Sequence, residues 1–183
     1  MAYKKINLPF TDEIIEDLKA GDNVLITGVI YAARDAVHKR LCALLDEGKE
    51  LPCDLKGQTI YYVGPCPAKP GYASGSAGPT TSGRCDPYTP QLLDYGVKGL
   101  IGKGLRKQAV VDSMIKNHVV YLAATGGAAV VIGKSIKKVE MVAYEDLGAE
   151  ALQKMTVEDF PATVVIDCKG NNLYITGPQK YAK

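Results

Sequence analysis

The sequence has 183 residues, 46% of them hydrophobic and 23% charged, which is the size and balance of a single globular domain over residues 1–183. A net charge of +2 lacks the basic excess of a nucleic-acid binder, and no apolar run reaches the ~18 residues a membrane span needs. No apolar segment follows Met1-Ala2-Tyr3-Lys4-Lys5, so we expect a cytoplasmic protein that binds neither nucleic acid nor membrane. In chain order, residues 5–8 and 24–30 read as strands, with a helical turn over 11–18 between them and Gly21-Asp22 turning into the second. Residues 34–47 read as a helix, because Val37, Leu41, Leu44 and Leu45 fall at helical spacing and Gly48 is a stop. A β-rich strand follows at 58–63, then helices at 90–95 and 105–117, and an apolar strand at 119–124. Residues 139–144, 163–167 and 173–176 look like further strands, the last two joined by the hairpin turn Cys168-Lys169-Gly170-Asn171-Asn172. Mixed strands and helices predict an α/β layered domain.

Residues 64–90 break this pattern. They have no periodicity, and 17 of the 27 are Gly, Pro, Ser or Thr. Structureless loops of more than about 12–15 residues are uncommon in compact domains unless they carry function or are disordered. With only Lys69, Arg84 and Asp86 charged, the segment lacks the charge of a disordered one. Its centre, Gly78-Pro79-Thr80-Thr81-Ser82-Gly83-Arg84, combines hydroxyls, backbone freedom and a guanidinium, a set that can face an anion.

Arg34 lies on the inward stripe of its helix, three residues before Val37, and at the N-terminal end, where the helix dipole disfavours a cation. A ligand carboxylate would resolve that conflict; pairing with Asp35 is the plainer alternative. His38 follows one turn later on the same face, where a histidine is more often a core residue than a catalyst. Lys103 sits between Gly102 and Gly104 at the end of an apolar run, open either to a small ligand or to solvent. Residues 127–135 resemble a phosphate-binding loop but have the wrong glycine spacing. Five cysteines, at 42, 53, 66, 85 and 168, form no metal-binding spacing, so we expect free thiols and no metal site in this chain. The residues therefore describe a small anion site with cations but no strong base.

Several ordered stretches carry a family resemblance. They are Ala33-Arg34-Asp35-Ala36-Val37-His38-Lys39-Arg40, the Gly78 to Arg84 run, and Gly96-Val97-Lys98-Gly99-Leu100-Ile101-Gly102-Lys103-Gly104. Glu145-Asp146-Leu147-Gly148-Ala149-Glu150-Ala151, Val157-Glu158-Asp159-Phe160-Pro161 and Asp167-Cys168-Lys169-Gly170-Asn171-Asn172-Leu173-Tyr174 complete the set. Together they resemble the β subunit, or C-terminal domain, of the iron–sulfur-dependent class I fumarate hydratases and the related L-tartrate dehydratases. The run departs from the family at Cys85, where Met is expected, without touching a proposed ligand.

The resemblance implies a swivelling β/β/α domain. It also implies a partner α subunit whose three cysteines hold a [4Fe–4S] cluster with one open iron, a Lewis acid for the substrate. The reaction implied is reversible hydration of fumarate to (S)-malate. Arg34 and Arg84 would bind the substrate carboxylates, and Lys103 would add a further cation. Thr80 would move the C3 proton. Asp35 and His38 would support Arg34, while Thr81 and Ser82 would shape the loop. A hetero-oligomer with the α subunit is implied, or a homodimer of this chain alone. Gly64-Pro65-Cys66-Pro67-Ala68 and Ser76-Ala77-Gly78-Pro79 look closer to the fumarate branch than to the tartrate one. A non-catalytic dicarboxylate-binding or assembly domain is the alternative from another class.

Overall fold

The computed structural model describes residues 3–179 and 181–182, so Met1 and Ala2 of the leading stretch lie outside the described residues. The strands are β1 (Lys4–Asn7), β2 (Asn23–Ala32), β3 (Thr59–Tyr61), β4 (Gly99–Gly102), β5 (Val120–Ala123), β6 (Ile136–Ala143) and β7 (Leu152–Ile166). The helices are α1 (Asp12–Asp17), α2 (Asp35–Asp46), α3 (Thr89–Tyr95), α4 (Gln108–Asn117), α5 (Ala129–Ser135) and α6 (Leu173–Gln179). Strands β2, β3, β4 and β5 run parallel in that order. The antiparallel β7 then pairs with both β5 and β2, which closes a barrel-like sheet. β1 extends the free edge of β2, and β6 extends that of β7.

The period-2 geometry of strands divides the core. Tyr61, Ile101 and Leu122 join Ile26, Met155 and Phe160 in one apolar cluster. Their neighbours Ile60, Tyr62, Leu100 and Tyr121 point the other way, into a second cluster with Val37 and Leu41 of α2, Leu92 of α3 and Met114 of α4. Because β3 and β4 are buried on both faces, they carry apolar runs without alternation.

Three expectations are corrected. Residues 173–176 are not a strand but the start of α6. Asn172 Oδ1 accepts the Tyr174 N–H at 3.0 Å, and this cap commits the chain to a helix. The turn before it exists, with Asp167 Oδ1 accepting from the N–H groups of Lys169 and Asn171 at 3.0 Å each, but it leads into that helix and makes no hairpin. The strand expected at 163–167 is the end of a strand that begins at Leu152. A β-bulge hides its continuity, since the register with β2 slips opposite Glu158 and Asp159, where Asp159 has φ 49°. Helix α4 begins at Gln108 rather than 105, with Leu105 exposed and Arg106 buried. Helix α5 and the strand β4 had no counterpart among the expected elements.

Candidate functional site

The candidate residues lie at the carboxyl ends of the parallel strands β2, β3, β4 and β5. That end of a parallel sheet is where ligands bind in both open and barrel-type α/β folds. Arg34 follows β2, Thr80 lies beside the residues that follow β3, and Lys103 follows β4. Thr125-Gly126-Gly127 follows β5.

Arg34 is the N-cap of α2 and makes no side-chain cap hydrogen bond. Its side chain is 19% exposed and packs against the chain after β3, where a Cβ on Gly64 would stand 3.4 Å from Arg34 Cδ. Nη1 forms an ion pair with Glu150 Oε1 at 2.7 Å, while Nε lies 3.7 Å from Asp35 Oδ1. Arg34 Nε and Asp35 Oδ1 are both buried with no hydrogen-bond partner. A charge surrounded in this way has donors left for a ligand.

The long segment after β3 is ordered by its own backbone. Cys66 N–H donates to Ser76 O at 2.9 Å, which folds 66–76 out and back. The chain then returns along β3, and Thr80 N–H donates to Tyr62 O at 2.8 Å. Thr81 pairs with Lys103 in a parallel bridge, and Ser82 N–H donates to Lys103 O at 3.0 Å. The Ser82 hydroxyl is fully buried, accepts from Lys103 N–H at 3.0 Å, and is hydrogen-bonded with Tyr121 OH at 2.9 Å. Gly102 is obligatory there, because a Cβ would overlap Ser82 Oγ. Ser82 thus shapes the loop physically, while Thr81 is exposed.

Arg84 ends the 3₁₀ turn Ser82–Arg84 and is exposed, as is Lys103. Among the described residues neither makes an ion pair. Lys103 Nζ is 3.7 Å from where a Cβ on Gly126 would stand, which brings the β5 end to the same rim. Burial pushes the thiol of Cys85, the residue after Arg84, up to about 12, against a lowering by the Arg106 charge.

One functional support was not legible in the sequence. Arg106 Nε and Asp86 Oδ1 form an ion pair at 2.7 Å, with side chains 0% and 2% exposed. Arg106 also donates to Thr89 Oγ1 at 2.9 Å and Tyr62 OH at 3.2 Å, and lies over the Tyr62 and Tyr121 rings. Asp86 Oδ2 accepts from Lys107 N–H at 2.8 Å. This clamp joins the turn bearing Arg84 to the connection bearing Lys103. Leu105-Arg106-Lys107 gives no periodic signal that its arginine points inward.

His38 lies 1% exposed against the Tyr62 ring, with ring centroids 5.3 Å apart. Its Nδ1 faces Arg34 O at 2.8 Å, so that nitrogen carries the proton, and Nε2 is buried without a partner. Burial lowers its pKa to about 4, against a raising contribution from the Arg34 carbonyl. The ring is neutral at pH 7 and touches Arg34 through its main chain. The folded pKa lies below the ordinary 6.5, so the unfolded chain binds more protons between the two values. The stabilisation from neutral burial is complete above pH 6.5 and is lost as pH falls towards 4, a change of up to about 3 kcal/mol. Urea denaturation of the chain and of His38→Gln should show a shallower pH slope in the variant across that window. Equal slopes would remove His38 as the cause.

A cleft of about 660 Å³ lies elsewhere, lined by Asp12, Glu16, Lys98, Lys116 and His118. Backbone pairing sets Thr80 beside Tyr62 and sets Thr81 and Ser82 beside Lys103, and no group of metal-ligating side chains occurs among the described residues. The cysteines do not fit an iron–sulfur cluster. Cys42, Cys85 and Cys168 are buried, Cys53 is half-buried and only Cys66 is exposed. Burial is also the main cause raising the thiols of Cys42, Cys53, Cys85 and Cys168. No helix among the described residues is long and apolar enough to cross a membrane.

Comparison with known proteins follows the same outline. Residues 2–177 match the family model described as Fumarase C-terminus. The anaerobic class I fumarate hydratase of Escherichia coli (strain K12) is 47% identical over 151 residues, which is 81% of this chain and 28% of that protein. Fumarate hydratase 2 of Leishmania major is 42% identical over 156 residues, 84% of this chain and 28% of its own. The putative L(+)-tartrate dehydratase subunit beta of Methanocaldococcus jannaschii is 35% identical over 170 residues, 90% of this chain and 87% of its own. The chain thus spans little more than a quarter of the length of these fumarate hydratases and most of the tartrate dehydratase subunit.

Proposed function

The chain belongs to the fumarase C-terminus family, a hydro-lyase family, and from that premise we propose that it is the β subunit of a [4Fe–4S]-dependent enzyme hydrating fumarate reversibly to (S)-malate. The cluster belongs to a separate α subunit, and the substrate sits between the two chains. The domain is of the swivelling β/β/α kind, and the complex is cytoplasmic. What supports this reading is that Arg34 and Lys103 follow β2 and β4 while Thr80 and Arg84 lie on the loop bonded to Tyr62 and Lys103, with Arg84 and Lys103 in no ion pair among the described residues. A substrate with two carboxylates would match these cations.

In this reading Arg34 and Arg84 each bind one substrate carboxylate, since a guanidinium matches a carboxylate in two hydrogen bonds. The Thr80 hydroxyl carries the C3 proton. As that proton leaves malate, negative charge grows on the adjacent carboxylate, where Lys103 and the arginines stabilise it. A threonine is a weak base on its own and needs such neighbours. Thr80→Val and Lys103→Met should therefore lower kcat more than they raise KM. A change in KM alone would make both residues binding contacts and assign the proton carrier to the partner.

The test is anaerobic purification of this chain alone and with a cluster-bearing partner. Alone it should hold no stoichiometric iron or sulfide and should hydrate no fumarate; together they should turn over. A cluster or full turnover in the single chain would overturn the division of labour. L-tartrate dehydration is the second reading, favoured by the 87% coverage of the tartrate dehydratase subunit. The ratio of kcat/KM for fumarate and tartrate decides between them. A complex that turns over neither would leave a non-catalytic dicarboxylate-binding domain.

A further inference from the structure

We propose that Glu150 is an internal counter-ion that a ligand carboxylate displaces from Arg34, and so sets the affinity of that subsite. The inference rests on the reading of Arg34 as a carboxylate-binding residue and names the group that acts through it. Of the three candidate cations, Arg34 is the one that the chain itself neutralises among the described residues. Glu150 Oε1 approaches Nη1 to 2.7 Å, while Asp35 Oδ1 stays at 3.7 Å from Nε. Neither carboxylate satisfies Nε, which is buried and without a hydrogen-bond partner, as is Asp35 Oδ1. Charge is thus balanced while hydrogen bonding is not. A third carboxylate arriving on the same guanidinium would gain the Nε hydrogen bond and would be repelled by Glu150.

The local chain is built so that Glu150 can give way. It closes the 3₁₀ segment Glu145–Glu150, whose helical course is broken at Gly148 with φ 58° and ψ −123°. The first half is held, because Arg40 pairs with Asp146 at 2.8 Å and lies over the Tyr144 ring at 5.1 Å. Gly148 and Ala149 in the second half are exposed. Glu150 itself is 38% exposed, so water can take up its carboxylate once it leaves Arg34.

Displacement predicts a gain, which damage to the fold would not produce. In the complex with the cluster-bearing partner, Glu150→Gln should lower KM for fumarate about three- to tenfold without raising kcat, the scale expected for a partly exposed charge pair. Glu150→Asp, which keeps the charge, should stay within about twofold of the parent. In an Arg34→Met background Glu150→Gln should change nothing further, because the two act as one unit. An unchanged or higher KM in Glu150→Gln, alongside a higher KM in Arg34→Met, overturns the proposal and leaves the site intact. If Arg34→Met itself leaves KM unchanged, the reading of the site fails and this inference with it.

Discussion

Arg34→Met and Arg84→Met are each expected to cut kcat/KM for fumarate in the assembled complex by roughly tenfold to a hundredfold or more. A hydrogen bond to a charged group contributes about 1.5–3 kcal/mol, and a paired guanidinium offers two. Arg34→Met should be the more damaging. It removes a cation that is ion-paired within the chain, so it also leaves Glu150 and Asp35 without their counter-charge. Arg84 is exposed and in no ion pair among the described residues, so its loss should leave the fold untouched and register in kinetics alone. Thermal unfolding of both variants checks this. Near-normal kinetics would remove that arginine from the site, and collapse of the fold would return it to a structural role.

Breaking the Arg106–Asp86 pair should be the most destabilising single change in the chain. Asp86→Asn leaves a guanidinium with 0% side-chain exposure and no counter-charge. Breaking a buried pair from one side costs about 3–5 kcal/mol. For a domain of this size that is a fall in Tm of order 10 °C. Arg106→Met should cost a similar amount, because it leaves the buried Asp86 without its counter-charge and takes one hydrogen bond each from Tyr62 OH and Thr89 Oγ1. The double variant should be little worse than either single one, since both lose the same unit. Denaturant unfolding of the three variants measures this. Additive losses, or singles costing under about 1 kcal/mol, would show that the clamp is not one.

The candidate residues could be picked out in the sequence, whereas the sheet that carries them could not. Arg34 stood out because an arginine on an apolar stripe at a helix start conflicts with both burial and dipole, and the structure makes it the N-cap of α2 with one orphan donor, Nε. The segment before Arg84 stood out because it was too long and too uncharged for an ordinary loop. The mixed α/β class was legible from alternating apolar patterns. The closure of the sheet was not. β7 carries Glu158, Asp159 and Pro161 inside a strand, residues that read as a break, and only pairing with β2 across a bulge makes them strand. Cys168 to Asn172 has hairpin composition, but which element follows a turn depends on caps such as Asn172. The inward Arg106 beside an outward Leu105 reverses the usual pattern, because only the assembled core supplies its partners.

The place of β7 in the sheet also governs how the chain reaches its fold. Asn23 pairs with Thr163, so the barrel-like sheet closes only when segments about 140 residues apart in sequence meet. Contacts of such long range raise the relative contact order, and the entropy of closing that loop precedes any reward from the pairing. On the ribosome, β2 and β5 emerge with bare edges and wait for a strand that is synthesised last among the seven. Unpaired edges are templates for association with other chains. Expression at high rate is thus opposed by the same strand order that, once closed, sets the carboxyl ends of β2, β3, β4 and β5 side by side.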